Sequence, residues 1–124
     1  MKTIETKANQ NQIVIKMNSE ERKQCHLAAV FANNFVNHFY MLAETILKEK
    51  NLDFMLLKPL VLETAQKVLE MSPEEAQTGP AARNDQNVIE EHLRLLASPK
   101  LENLYRFVSE SITEHALRKN KHKG

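Results

Sequence analysis

The stretch Asn18–Tyr40, NSEERKQCHLAAVFANNFVNHFY, decides the fold. It contains neither glycine nor proline. Ser19 is placed to cap a helix, and the acids Glu20 and Glu21 in the first turn favour the positive end of its dipole. Ala28, Phe31, Phe35, Leu42 and Ile46, widened by Phe39, recur at the helical period. The helix is expected to run to about Lys50, roughly 30 residues and roughly 45 Å at ~1.5 Å per residue. That is far beyond the ~11-residue average. Such a helix forms the spine of a bundle or reaches into a partner.

A second stripe lies opposite the phenylalanines. At ~100° per residue, Arg22, His26, Val30, Asn33, Asn37, Tyr40 and Glu44 fall within roughly ±40° of one direction. A solvated face is normally rich in Lys and Glu. Asparagine is a poor helix former because its side chain competes for backbone groups. Three of them in FANNFVNHFY point to a polar packing contact or a ligand-facing site, with plain solvation third. Imidazole as a side-chain type exchanges protons near neutrality, so His26 is a candidate proton donor or acceptor, although a lone helical histidine is more often structural. His38 lies nearer the apolar side and is expected to pack. His115 and His122 read as surface.

Upstream, residues 1–12 show no periodicity and read as a loose leader. Ile13–Met17 is short and β-branched, in the manner of one strand. A lone strand needs a sheet. Either the segment is no strand, or its sheet lies in another chain or in a missing domain.

Downstream, Asn51-Leu52-Asp53 is a turn and cap. A second helix is expected over Phe54–Met71, kinked or broken at Pro59. Ser72-Pro73 caps a short helical turn. Thr78-Gly79-Pro80 then breaks the chain: Gly79 offers positive φ and Pro80 fixes the exit. Asp85 is expected to cap a helix to Ala97, with Val88, Ile89, His92, Leu93 and Leu96 inward; His92 reads as a satisfied core or interface histidine. Ser98-Pro99 opens the last helix, which carries Leu101, Leu104, Tyr105, Val108 and Ile112 inward. Residues 118–124 form a basic tail expected to fray. In the plainest reading TGPAARND is a connector with Asp85 as cap. Arg83 is left over. An arginine beside a helix N-terminus, with free backbone amides, suits a carboxylate or phosphate, though this signal is weak by itself.

The totals exclude several classes. The chain has 124 residues, 42% hydrophobic and 27% charged, with a net charge of +1. One domain with a core fits that length. The charge balance and the lack of a basic helix face disfavour nucleic acid. No apolar run approaches the ~20 residues of a membrane span, and MKTIETKANQNQ lacks a signal-peptide core. Cys25 is the single cysteine, which suits a reducing cytoplasm. No metal-ligand spacing is present. With two glycines the chain has neither GxGxxG nor a P-loop, so by itself it cannot cradle a dinucleotide in the usual way.

NSEERKQCHLAAVFANNFVNHFY, LLKPLVLETAQKVLEMSPEEAQTGPAARND and NVIEEHLRLLA together resemble the C-terminal helical domain known as domain of unknown function 2520. It follows a Rossmann-like domain in bacterial proteins described as NAD(P)-dependent oxidoreductases. The resemblance spans roughly Ile13 to Ile112. Its most specific pieces are His26 with Asn33-Asn34 and Asn37-His38, and Thr78, Gly79, Pro80, Arg83 and Asp85. It implies an all-α bundle similar to the C-terminal domain of 6-phosphogluconate dehydrogenase. It implies a cytoplasmic homodimer that closes over the nicotinamide end of NADP or NAD. His26, Asn33 and Asn37 would face a small-molecule substrate as the catalytic set. Thr78, Gly79, Arg83 and Asp85 would line the same cleft as substrate-binding residues.

On this view residues 1–17 are a leader with an orphan strand, 18–117 the substrate and dimerisation domain, and 118–124 the tail. The chain is then inactive without its Rossmann domain. The competing reading is a non-catalytic helical dimerisation or interaction module.

Overall fold

The computed structural model describes residues 4–7 and 12–123. Two strands, β1 (Ile4–Lys7) and β2 (Gln12–Ile15), precede six α-helices: α1 (Ser19–Ala29), α2 (Val36–Lys48), α3 (Lys58–Glu70), α4 (Pro73–Ala76), α5 (Gln86–Leu95) and α6 (Pro99–Lys123). A π-helical turn, Val30–Phe35, joins α1 to α2, and a 3₁₀ turn, Phe54–Leu57, precedes α3. The chain is thus all-α apart from one hairpin. It divides into two compact units, Met1–Leu52 and Asp53–Gly124.

In the first unit the strand is not an orphan. β1 and β2 pair antiparallel, with Ile4 opposite Ile15 and Lys7 opposite Gln12. Part of the expected leader therefore supplies the missing neighbour; residues 1–3 and 8–11 lie outside the described residues. IETK escapes a sequence reading because four mostly polar residues carry little strand signal.

The cap of α1 is Asn18 rather than Ser19. The Glu21 amide donates to Asn18 Oδ1 at 2.8 Å, and the Asn18 amide donates to Glu21 Oε1 at 3.1 Å. This reciprocal box satisfies two amides at once.

The long helix is not regular. The π turn holds the adjacent Asn33 and Asn34, whose side chains compete for the backbone. It also holds Phe31 and Phe35, whose rings meet edge-on with centroids 4.9 Å apart. A π turn admits one extra residue, which offsets α2 from α1 by ~100° relative to a continuous α-helix.

In the second unit most boundaries follow local chemistry. Asp53 Oδ1 accepts from the Met55 amide at 2.7 Å. Pro59 falls in the first turn of α3, so the expected single helix from Phe54 is a 3₁₀ turn and then an α-helix. Ser72 Oγ accepts from the Glu75 amide at 3.3 Å to start α4, and Ser98 Oγ from Leu101 at 3.1 Å to start α6. α5 stops at Leu95, because Leu96 is already extended. α6 continues to Lys123, so the basic end expected to fray is helical. Its cations suit the negative end of the helix dipole.

The core of this unit is small. Ala81, Ile89 and Leu93 are buried, with Leu96, Tyr105 and Ile112 packed against them. Large apolar side chains are exposed in both units. Phe31, Phe35, Phe39 and Ile46 are so in the first, and Leu56, Leu60, Leu69 and Phe107 in the second.

Candidate functional site

The site residues expected from the sequence fall in two groups, one in each unit.

In the first unit, His26 sits in the last turn of α1, Asn33 in the π turn and Asn37 in the first turn of α2. All three are exposed. Among the described residues none of the three makes a side-chain hydrogen bond or ion pair. Among the described residues nothing in the chain pairs with the asparagines, so their exposed amides are open to water, to an interface or to a ligand. The stripe is also not straight. With the ~100° offset, the direction of His26 passes on α2 to His38, Met41 and Thr45. Asn37, Tyr40 and Glu44 turn away from it by the same angle. His38, expected to pack, is exposed. Sequence periodicity missed this because it assumes a constant rotation per residue.

In the second unit, the turn from Thr78 to Asp85 is built by its backbone. Gly79 has φ 105°. A Cβ there would meet nothing within 4 Å, so the position needs glycine for its conformation and not for space. The Arg83 amide donates to the Gly79 carbonyl at 3.4 Å, and the Asp85 amide to the Pro80 carbonyl at 2.8 Å. Asn84 takes a second left-handed conformation, φ 54°, which asparagine tolerates. Asp85 Oδ1 then accepts from the Val88 amide at 3.3 Å, capping α5. The carboxylate of Asp85 is thus engaged in structure.

Arg83 is exposed, and among the described residues its guanidinium has no partner. Thr78 is exposed, and its carbonyl accepts from Gln77 Nε2 at 3.0 Å. The arrangement offers a fixed turn and the Arg83 guanidinium as donor for an anion; the α5 N-terminus is already taken by the Asp85 carboxylate.

Two contacts that sequence reasoning did not find tie the turn and α5 to α6. Thr113 Oγ1 on α6 donates to the Ala81 carbonyl at 2.8 Å, across 32 positions of sequence. His92 Nδ1 on α5 and the Tyr105 hydroxyl on α6 share a hydrogen bond of 2.8 Å, with their rings edge-on. His92 is therefore satisfied, but it is exposed and not inward as its spacing suggested: it lies at the edge of the small core and reaches Tyr105 from there. Burial raises the Tyr105 pKa above its usual value.

Among the described residues no group of three or more His, Cys, Asp or Glu is placed to hold a metal ion. No helix of these residues is long and apolar enough to cross a membrane.

A family model for a domain of unknown function, DUF2520, matches residues 5–112. The chain is also similar to a crystal structure of a "putative NADP oxidoreductase" from Bacteroides fragilis. The match has 55% sequence identity and a TM-score of 0.77, and covers 79% of this chain. This chain spans 38% of the length of that protein's chain. No curated protein matches.

Proposed function

From its membership of the DUF2520 family, to which the chain belongs over residues 5–112, we propose that it is the substrate-binding and dimerisation part of an NADP-dependent oxidoreductase. The observation that carries this reading is the 55% identity to the Bacteroides protein along 79% of the chain. The residues present do not fit the cofactor by themselves. The one internal glycine, Gly79, sits in a turn between helices and not between a strand and a helix. The described sheet is a two-stranded hairpin. A Rossmann-like domain, joined or separate, supplies the cofactor site and with it hydride chemistry.

This chain's own residues then bind and orient. His26 is the acid/base candidate. Asn33 and Asn37 present amide donors and acceptors that no group among the described residues uses. Arg83 offers a planar fork for a carboxylate or phosphate of the substrate, held by the Gly79 turn. The π turn supports a functional role for the His26–Asn37 segment, because such turns concentrate at functional sites. The exposed Phe31, Phe35 and Phe39 suit a homodimer contact on the same helix.

The test is a chimaera in which this chain replaces the matching segment of the Bacteroides protein. NADPH titration by fluorescence is expected to show binding by the chimaera and none by the chain alone. A folded chimaera that binds no NADPH would remove the reading. The alternative, a non-catalytic dimerisation module, is favoured by the exposed apolar side chains alone. Asn33→Ala with Asn37→Ala separates the two. Loss of the dimer supports the module, and lost turnover with the dimer intact supports the substrate site.

A further inference from the structure

A cavity of about 540 Å³ lies wholly within the second unit, between α4, the Gly79 turn and the C-terminal half of α6. Small side chains open it. Ala82 comes from the turn and Ala116 from α6, where larger residues would fill the space. Pro73 and Ile112 complete an apolar lining. The volume is in the range of small-molecule sites.

The charges around this cavity are of both signs. Glu74 and Glu75 line it from α4, and Lys119 lines it from α6. Among the described residues none of the three is in an ion pair. Opposite charges that border one cavity without closing on each other leave room for a ligand that carries both. His115 adds a fixed acceptor. Its Nδ1 lies 2.7 Å from the Ser111 carbonyl. A carbonyl has no proton, so Nδ1 donates, and Nε2 of the neutral ring keeps its lone pair. Three of these groups, His115, Ala116 and Lys119, lie beyond residue 112, where the family match ends.

We infer that this cavity binds a small amino-carboxylate zwitterion with an apolar side chain, of the amino-acid or dipeptide class. The ligand's ammonium meets Glu74, Glu75 and His115 Nε2. Its carboxylate meets Lys119, and its apolar part rests on Pro73, Ile112 and the two alanines. The inference does not depend on the oxidoreductase reading, because it concerns binding by this chain alone.

The test is calorimetry on the full chain with L-leucine and leucyl-glycine, against 3-methylbutylamine and 4-methylpentanoate, which each lack one of leucine's two charges. At least one zwitterion is expected to bind about tenfold or more tighter than either single-charge analogue. Glu74→Gln with Glu75→Gln, and separately Lys119→Met, are each expected to weaken it about tenfold, with helix content by circular dichroism unchanged. The side chains changed are those of exposed or half-buried residues, so the fold is expected to survive. Equal binding of the amine or of the acid alone overturns the proposal. So does the absence of zwitterion binding at about 10 mM, or variants that bind like the wild type.

Discussion

At the scale of the residue, Gly79 and Tyr105 carry the clearest consequences. Gly79→Ala meets no steric obstacle, since its Cβ would stand in open space. The cost is conformational, because φ is 105° and an L side chain there is strained by about 1–2 kcal/mol. The unfolding free energy of Gly79→Ala from urea titration is expected to fall by that amount, and an unchanged value would mean that the turn relaxes. Tyr105 is a pH probe. Burial raises its folded pKa above the usual tyrosine value. The folded state then holds its proton where the unfolded chain has begun to release it. The resulting stability is fully present below the unfolded pKa and is lost as pH rises through the folded one. Unfolding measured from pH 8 upward is expected to steepen above about pH 10, and Tyr105→Phe is expected to flatten that loss. Identical pH profiles would show that the Tyr105 hydroxyl gains nothing from burial against His92.

At the scale of the element, local rules were legible and tertiary ones were not. Asp53, Ser72, Asp85 and Ser98 announce their helices because a cap is chemistry within three residues. Pro59 announces a boundary for the same reason. The β1 strand is invisible because its partner, and not its composition, makes it a strand. The π turn is invisible because poor helix formers such as Asn33 and Asn34 mark a cost but not the geometry that results, and the periodic reading then assigns the faces of α2 one residue out of step. The candidate site inherits this: His26, Asn33 and Asn37 were legible as residues, but their common face was not. Deleting Asn34 tests the point. Removal of one residue from the π turn is expected to restore a continuous α-helix. Helix content should be unchanged or slightly higher by circular dichroism. The faces of α1 and α2 would shift by ~100° relative to each other, so the proposed dimer is expected to weaken, read as a lower mass by light scattering. A deletion variant that keeps its dimer would show that the offset has no role in assembly.

At the scale of the whole molecule, the decisive fact is how little of the described chain is buried. Only Ala81, Ile89 and Leu93 pass as core, while Leu69 is 85% and Phe107 74% exposed. The composition promised more, since 42% of the residues are hydrophobic. Periodicity marked apolar residues along each helix, although the π turn breaks the stripe expected to run from α1 into α2. What they face could not be read, because periodicity shows which side of a helix is apolar and not which surface covers it. Apolar area left in water forgoes about 25 cal/mol per Å², so exposed apolar side chains in this number favour a surface that covers them. If a second copy covers them, stability must depend on concentration. Each tenfold dilution removes ~1.4 kcal/mol from a dimer that unfolds to two chains. For two chains of this length that corresponds to roughly 3–6 °C in the thermal midpoint. Melting followed by circular dichroism over a hundredfold range of concentration is expected to show twice that shift. Phe31→Ser with Phe39→Ser, which changes exposed side chains on the long helix, is expected to abolish the dependence and lower the midpoint at high concentration. A midpoint that stays constant on dilution would mean that no second copy covers these faces, and the dimerisation role proposed for the chain would fall with it.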